Sequence, residues 1–144
     1  MTQQTIAFAC DHAGPDLKKT LMDVAADMGF NVLNLGTDGT DSVDYPDYAD
    51  KMASAIETGT ADLGVLICGT GIGISIAANR NKAVRAALCH NGLMARLTKQ
   101  HNNANVLALG ARVIGEEVAI DCLKEFLNTP FEGGRHARRV EKMS

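Results

Sequence analysis

Three glycines and a cysteine lie close together in the stretch ICGTGIGISIAANR, residues 67–80. Gly69, Gly71 and Gly73 alternate within five residues, and Cys68 directly precedes them. A glycine loop that opens a helix leaves backbone N–H groups free to hold an anion. The positive end of the helix dipole also favours the thiolate form of a neighbouring cysteine. The stretch therefore predicts an anion site with a reactive thiol beside it.

The glycine loop does not match the common nucleotide-binding motifs. A GxGxxG fingerprint would need glycine where Ile74 stands, and a Walker loop would need Gly-Lys-Ser/Thr. The glycines alone leave two interpretations open, an anion site or a tight turn that needs small side chains. The presence of Cys68 favours the anion site. Cys10, Cys89 and Cys122 are interpreted as small core side chains.

Further polar residues follow other apolar runs. Asp11 and His12 come after the first run, either as a helix cap with an exposed histidine or as functional groups. His101 ends a helical segment, where a histidine can simply complement the helix C-terminus. A metal site is the weaker alternative, because no pair of candidate ligands has the spacing typical of zinc. Its ligands would be Cys10, His12, Cys68 and His101.

The segment FEGGRHARRV, residues 131–140, is rich in arginine. Arg135 and Arg139 are four residues apart and would share one face of a helix. Two guanidinium groups on one face can clamp a phosphate dianion. The alternative is a solvated basic tail.

Apolar runs and helical repeats alternate along the chain and must position these residues. Strands are predicted over residues 5–10, 31–36, 63–68, 85–89 and 105–110. Helices are predicted over 15–28, 48–57, 91–100 and 115–127, with another after the glycine loop and a short last one over 132–143. This alternation predicts one α/β domain over residues 1–144, with helices on both faces of a parallel sheet.

In such a sheet ligands bind beyond the carboxyl ends of the strands. That edge is expected to gather the segments that follow each strand, including the loop 36–47 with Tyr45. The remaining groups expected there are Asp11, His12, Cys68, the glycine loop, His90 and Arg112.

Composition limits the classes of partner. The chain has 144 residues, 46% of them apolar and 4% aromatic, and a formal net charge of −3. This balance gives no support for nucleic-acid binding. No apolar run approaches a membrane span, and the N-terminal segment is unlike a signal peptide. Scattered cysteines in such a chain are typical of reduced thiols, so a cytoplasmic protein is expected.

Taken together, the motifs resemble the type B ribose-5-phosphate isomerases. These belong to a sugar-phosphate isomerase family that also holds allose- and galactose-6-phosphate isomerases. The matching stretches occur in the family's order over nearly the whole chain. They are IAFACDHAG (6–14), DYPDYA (44–49), ICGTGIGISIAANR (67–80), QHNNANVLALGARVIG (100–115) and FEGGRHARRV (131–140).

The resemblance implies a cofactor-free aldose–ketose isomerase that interconverts ribose 5-phosphate and ribulose 5-phosphate through an enediolate. It implies a Rossmann-like, three-layer α/β/α sandwich whose five parallel strands are ordered 2-1-3-5-4, followed by a C-terminal helical tail. It also implies homodimers, or dimers of dimers, whose active sites are shared between subunits.

The same resemblance assigns roles to individual residues. Cys68 is the implied general base and His101 the implied ring-opening residue, with Asp11 and Thr70 as candidate assistants. The implied substrate contacts are His12, Tyr45, Gly69, Gly71, Ile72, Gly73, Asn102, Arg112, Arg135 and Arg139. The enediolate oxygen would lie on the glycine loop, and the phosphate on His12 and the arginines.

Three other functions stay open at this point. The same chemistry could act on a six-carbon sugar phosphate such as allose 6-phosphate, and pocket size near Tyr45 and the loop 37–45 would decide this. The chain could instead be a non-catalytic phosphate-sensing module, or a metal-dependent isomerase.

Overall fold

The computed structural model describes residues 3–144, in which five strands and six helices alternate. The strands are β1 (Thr5–Cys10), β2 (Asn31–Asn34), β3 (Leu63–Cys68), β4 (Ala86–Leu88) and β5 (Val106–Gly110). The helices are α1 (Pro15–Asp27), α2 (Tyr45–Glu57), α3 (Ile72–Ala78), α4 (Gly92–Asn102), α5 (Glu116–Asn128) and α6 (Arg135–Lys142).

All five strands are parallel, in the order β2-β1-β3-β5-β4. This confirms the predicted order. Both β3 and β5 are buried along their whole length, as their uninterrupted apolar sequences require when both faces of a sheet are covered. Cys10 pairs with Ile67 and Cys68 pairs with Gly110, so the three central strands end side by side.

Two apolar clusters, one on each face of the sheet, complete the three layers. Leu21 of α1 and Phe126 of α5 belong to one cluster, and Met52 of α2 and Ile74 of α3 belong to the other. All four side chains are fully buried. The α/β/α sandwich predicted from the sequence is confirmed.

Several element boundaries differ from the predicted ones. Helix α2 begins at Tyr45 rather than Tyr48, because Pro46 fits the first turn of a helix, where its missing N–H costs nothing. Tyr45 is therefore a helical residue and not a loop residue. Helix α6 begins at Arg135, because Gly133 and Gly134 have φ angles of 71° and 58° that a helix cannot use.

No helix of the described chain combines the length and the apolar character that crossing a membrane requires.

The charged side chain of Lys18 lies inside the fold. Lys18 of α1 is 1% exposed, and its Nζ donates to Asn34 Oδ1, Thr37 O and Asp38 Oδ1 at 2.7, 2.7 and 2.9 Å. Hydrogen bonds from Asn34 and Lys18 hold the pKa of Asp38 below its usual range. Lys18 therefore holds the segment that follows β2 in place against α1, because a buried ammonium group needs hydrogen-bond acceptors.

Substituting Lys18 tests this anchoring. Lys18→Met keeps the aliphatic stem but removes three donors, so it is expected to lower the free energy of unfolding by about 2 kcal/mol. The control is Lys19→Met. The Lys19 ammonium is exposed, and within residues 3–144 its one ion pair is with Asp23 at 3.3 Å. The effect of Lys19→Met is expected to stay within about 0.5 kcal/mol. Urea denaturation measures both, and equal effects would contradict the anchoring role.

Candidate active site

The carboxyl edge of the sheet gathers the residues that follow β1, β3 and β5. The backbone N–H of Asp11 donates to Ile67 O at 3.1 Å, and that of Ala111 donates to Cys68 O at 2.9 Å. Arg112 N–H then donates to Gly69 O at 3.0 Å. These bonds continue the strand pairing into the loops, so three loops are tied together around the end of β3.

Cys68 is the last residue of β3 and is 5% exposed. Its Sγ accepts a hydrogen bond from the backbone N–H of Gly71 at 3.1 Å. The loop can turn back in this way because Gly71 has a φ of 79°, a left-handed conformation that favours glycine. The Gly71 N–H therefore points directly at the Cys68 sulfur.

Two N–H groups of the glycine loop are used inside the loop itself. Gly71 donates to Cys68 Sγ, and Ile72 donates to Thr70 Oγ1 at 3.1 Å. The N–H groups of Gly69, Thr70 and Gly73 make no hydrogen bond within residues 3–144. Three N–H groups of residues 69–73 are therefore available to bind the predicted anion.

Tyr45 and Arg112 cover the glycine loop. A Cβ atom built on Gly73 would lie 2.6 Å from Tyr45 Cζ, so the phenol packs directly on that glycine. A Cβ atom built on Gly69 would lie 3.4 Å from Arg112 Nη1. Glycine is therefore needed at position 73 for the phenol to pack so closely, whereas the guanidinium group lies in ordinary van der Waals range of position 69.

Asp11 and His12 complete this edge. Asp11 is 7% exposed, and its Oδ1 accepts the N–H of Ala13 at 2.9 Å. His12 Nδ1 accepts the N–H of Val43 at 3.2 Å. One chain therefore brings together Asp11, His12, Tyr45, Cys68, Gly69, Thr70, Gly71, Ile72, Gly73 and Arg112.

The remaining predicted site residues lie at the opposite, amino edge of the sheet. A helix that joins two parallel strands must run back along the sheet, so α4 carries His101 and Asn102 towards the start of β5. Asn102 lines a cavity of about 350 Å³ with Arg85, at the start of β4, and Met143. Arg135 and Arg139 belong to α6, which packs on α4. Within one chain these residues are separated from Cys68 by the sheet.

His101 has two close neighbours from the C-terminal segment. Its ring stacks on that of His136, with the centroids 4.3 Å apart and the planes 14° from parallel. Its Nε2 lies 3.8 Å from Glu132 Oε1. His136 is 6% exposed, and burial, followed by the charge of Arg135, lowers its pKa below the usual range. The neutral, buried ring of His136 therefore packs against the ring of His101 and holds it in place.

The donor atoms of His101, Glu132 and His136 lie within 4.8 Å of one another. An imidazole binds a metal ion along its lone pair, which lies in the plane of the ring. Two nearly parallel stacked rings cannot both direct such a lone pair at one ion. The trio is therefore better suited to holding His101 in place than to binding a metal.

The other three cysteines are core residues, as predicted. Burial raises the pKa of Cys10 to about 11, that of Cys89 to about 12 and that of Cys122 to about 11. All three thiols are protonated at neutral pH, so they are poor nucleophiles and poor bases. Cys68 is the only one of the four that adjoins the glycine loop.

Comparison with known proteins identifies the family. The family model described as Ribose/Galactose Isomerase matches residues 6–143. This chain belongs to that family. Ribose-5-phosphate isomerase B of Escherichia coli is 45% identical over 139 residues, which are 96% of this chain and 93% of that protein.

Two further relatives bear on the substrate. D-erythrulose-4-phosphate isomerase of Pectobacterium atrosepticum is 44% identical over 140 residues, 96% of this chain and 92% of that protein. The structure of ribose-5-phosphate isomerase B from Mycoplasma genitalium with bound ribulose-5-phosphate has a TM-score of 0.92 at 43% identity, covering 96% of this chain and 93% of that chain. Overall identity is therefore similar for relatives named for different sugar phosphates.

Three features of this member of the Ribose/Galactose Isomerase family are not predicted by its sequence. They are the Val43 N–H bond to His12, the stack of His136 on His101, and the buried Lys18. His136 lies in the GGRH stretch beside Arg135, where the sequence indicates a function only for the arginines. His101 and His136 lie on different helices, far apart in the sequence, and no sequence pattern indicates that such a pair will stack.

Gly71 allows a test of the loop geometry against a matched glycine. A Cβ atom at Gly71 would lie 2.8 Å from the backbone carbon of Leu109, whereas Gly59 has nearly the same φ, 77°, and open space. Gly59→Ala is expected to lower the free energy of unfolding by about 1 kcal/mol from left-handed strain alone. Gly71→Ala is expected to cost a further ~1–3 kcal/mol from overpacking.

Gly71→Ala is also expected to reduce turnover, because the displaced loop removes the N–H from Cys68 Sγ, whereas Gly59→Ala leaves turnover unchanged. Urea denaturation and a turnover assay of both variants make the comparison. Equal destabilisation by the two variants would contradict the tight packing of the loop.

Proposed function

We propose that this chain is an aldose–ketose isomerase and that its substrate pair is ribose 5-phosphate and ribulose 5-phosphate. The observation that carries the proposal is the Cys68 thiol, held by the Gly71 N–H at 3.1 Å inside a loop with three unused donors. The names of the Escherichia coli and Mycoplasma genitalium relatives, the latter with bound ribulose-5-phosphate, support this choice of substrate.

Cys68 is the proposed base for the isomerisation step. The thiolate takes the proton from carbon 2 of the open aldose. The electron pair of that C–H bond forms a double bond to carbon 1, and the carbonyl electrons move to the oxygen on carbon 1. Transfer of the proton from the hydroxyl on carbon 2 to the oxygen on carbon 1, together with return of the proton from Cys68 to carbon 1, gives the ketose and restores the thiolate. A positioned base of this kind contributes ~10²–10⁴ to the rate.

The enediolate oxygen needs hydrogen-bond donors that are in place before its charge develops. The N–H groups of Gly69, Thr70 and Gly73 are the proposed donors, because no group of the described chain occupies them. One such donor is commonly worth ~10²–10³ in rate. Asp11 and Thr70 Oγ1 are proposed to assist in moving protons between the sugar oxygens.

Ring opening is assigned to residues of the amino edge, and phosphate binding to residues of both edges. His101 is the proposed proton carrier for opening the sugar ring, with Asn102 beside it, and Arg135 and Arg139 are the proposed phosphate clamp together with His12 and Arg112. A phosphate held far from carbon 2 fixes the reacting end of the sugar.

Because the sheet separates these residues from Cys68, we propose that two copies of the chain form each site. The amino edge of one copy would face the carboxyl edge of the other, in a homodimer or a dimer of dimers. Ile72, Ile76 and Val113, near the carboxyl edge, are 50%, 55% and 54% exposed. Burying such side chains against a second copy would stabilise the pair.

The cellular setting is also a proposal. Cys10, Cys68, Cys89 and Cys122 are all free thiols. Unpaired cysteines suit a reducing compartment, so we place the enzyme in the cytoplasm.

The alternative is that the preferred sugar phosphate has a different number of carbon atoms. The Pectobacterium atrosepticum relative is named for a four-carbon sugar phosphate, and the family description includes galactose. Tyr45 packs on Gly73 of the glycine loop that follows Cys68, so we propose that Tyr45 and the loop after β2 limit the length of the bound sugar. The alternative predicts that erythrulose 4-phosphate or allose 6-phosphate has a higher kcat/KM than ribose 5-phosphate.

Substituting Cys68 tests the proposed reaction. Cys68→Ala is expected to lower kcat for ribose 5-phosphate by at least about 10²-fold, because the base is lost, while the Kd for ribulose 5-phosphate changes little. Cys122→Ala, which removes a buried thiol away from the loop, is the control and keeps its turnover. Proton exchange at carbon 2, followed by NMR with and without EDTA, measures the step. Near-normal exchange in Cys68→Ala would contradict the assignment of the base.

Mixing two inactive variants tests the shared site. Cys68→Ala and His101→Asn each lack one part of the site, but a mixed dimer retains one complete site. After random exchange of subunits, about a quarter of the wild-type activity is expected to return. A mixture that stays inactive, although mass spectrometry detects mixed dimers, would show that each chain contains its whole site.

A further inference from the structure

The loop over residues 37–44 is held at both ends and at one point between them. At its start, the buried Lys18 Nζ donates to Thr37 O and Asp38 Oδ1 at 2.7 and 2.9 Å. At its end, Asp44 leads into α2. Between these points, the Val43 N–H donates to His12 Nδ1 at 3.2 Å. Within residues 3–144 this is the one hydrogen bond that joins residues 39–43 to another segment.

The same bond determines which ring nitrogen of His12 carries the proton. A nitrogen that accepts a hydrogen bond uses its lone pair and has no proton of its own. A neutral imidazole has a single N–H, which must then lie on Nε2. His12 Nε2 has no hydrogen-bond partner within the described chain, so this N–H is free to meet a ligand.

We infer that Val43 is a positioning residue whose backbone N–H fixes His12 as the neutral Nε2–H tautomer, which then donates a hydrogen bond to the substrate's phosphate. The identity of the ligand rests on the proposed function, whereas the tautomer does not. In this arrangement His12 supplies a directed donor, and the arginines supply the positive charge.

The arrangement also couples the loop to the ligand. When Nε2–H donates to an anion, the ring becomes more electron-rich and Nδ1 becomes a better acceptor. The Val43 bond therefore strengthens when the ligand binds, and residues 39–43 become more firmly held. Since the loop leads directly to Tyr45, binding of the phosphate also steadies the contact between Tyr45 and Gly73 of the glycine loop.

The first test is the protonation state of His12 in the free enzyme. Long-range ¹H–¹⁵N NMR of the ¹⁵N-labelled protein at neutral pH distinguishes the two tautomers and the cation. The His12 signals are assigned by their loss in His12→Asn. The expected pattern is a protonated Nε2 and an unprotonated Nδ1. A protonated Nδ1, alone or with Nε2, would overturn the inference.

The second test removes the donor. Val43→Pro lacks the N–H, whereas Val43→Ala keeps it. Val43→Pro is expected to give a mixture of His12 tautomers and to raise KM for ribose 5-phosphate about three- to tenfold, the size of one hydrogen bond, with a smaller change in kcat. Val43→Ala is expected to recover the single tautomer. An unchanged tautomer in Val43→Pro would refute the positioning role.

A third test leaves residues 37–44 untouched, in case the proline variant does not fold. The side-chain oxygen of asparagine can take the place of Nδ1, and the terminal amide of glutamine can take the place of Nε2. Hydrogen exchange of the Val43 N–H is therefore expected to stay slow in His12→Asn and to become faster in His12→Gln. In the wild type, ribulose 5-phosphate should slow it further. Equal exchange in the two variants would contradict the inference.

These tests separate the inference from the proposed function. An enzyme with the Nε2–H tautomer but without turnover of ribose 5-phosphate would contradict only the proposed function. An enzyme that turns over ribose 5-phosphate with a protonated Nδ1 would contradict only the inference.

Discussion

The close approach of the glycine loop to the end of β5 is the constraint on which the site depends. A Cβ atom built on Gly110 would lie 2.5 Å from Thr70 O, so the loop can fold over β5 only because residue 110 has no side chain. The pairing of Cys68 with Gly110 sets this contact. Once the loop lies there, the Gly71 N–H reaches Cys68 Sγ and Tyr45 can pack on Gly73. Strand register thus determines the chemistry available at Cys68.

The direction of the chain determines which groups can share that edge. Every residue that directly follows a strand lies at the carboxyl edge, and every residue that ends a connecting helix lies at the amino edge. His101 belongs to the second class because α4 ends at Asn102, where Asn103 adopts a left-handed conformation with φ 47°. The sheet topology therefore divides the candidate residues into two groups, and a site that contains both groups would need a second copy of the chain.

Much of this organisation could be predicted from local sequence patterns. The apolar runs predicted all five strands, and the family's order of motifs predicted their arrangement. The buried cysteines could be predicted because each lies in an apolar run or on an apolar helix face. By contrast, the sequence predicts the start of α2 three residues late, because the polar loop before Pro46 has no helical repeat of its own.

Contacts between distant side chains could not be predicted. The bond from Val43 to His12 and the stack of His101 on His136 depend on how loops and helices meet in space, and neither leaves a periodic signal. The separation of His101 from Cys68 follows from the topology, whereas the order of the motifs along the chain does not show it. Sequence patterns identify the groups that can do chemistry, whereas the fold determines which of them one chain can bring together.

The separation of the two edges also has a kinetic meaning. When a complete site needs two chains, the concentration of active sites follows the association equilibrium and not the concentration of chains. The rate per chain then falls as the enzyme is diluted below the dissociation constant of the pair, and it recovers when the enzyme is concentrated again. Dilution would resemble inactivation, although every chain remains folded.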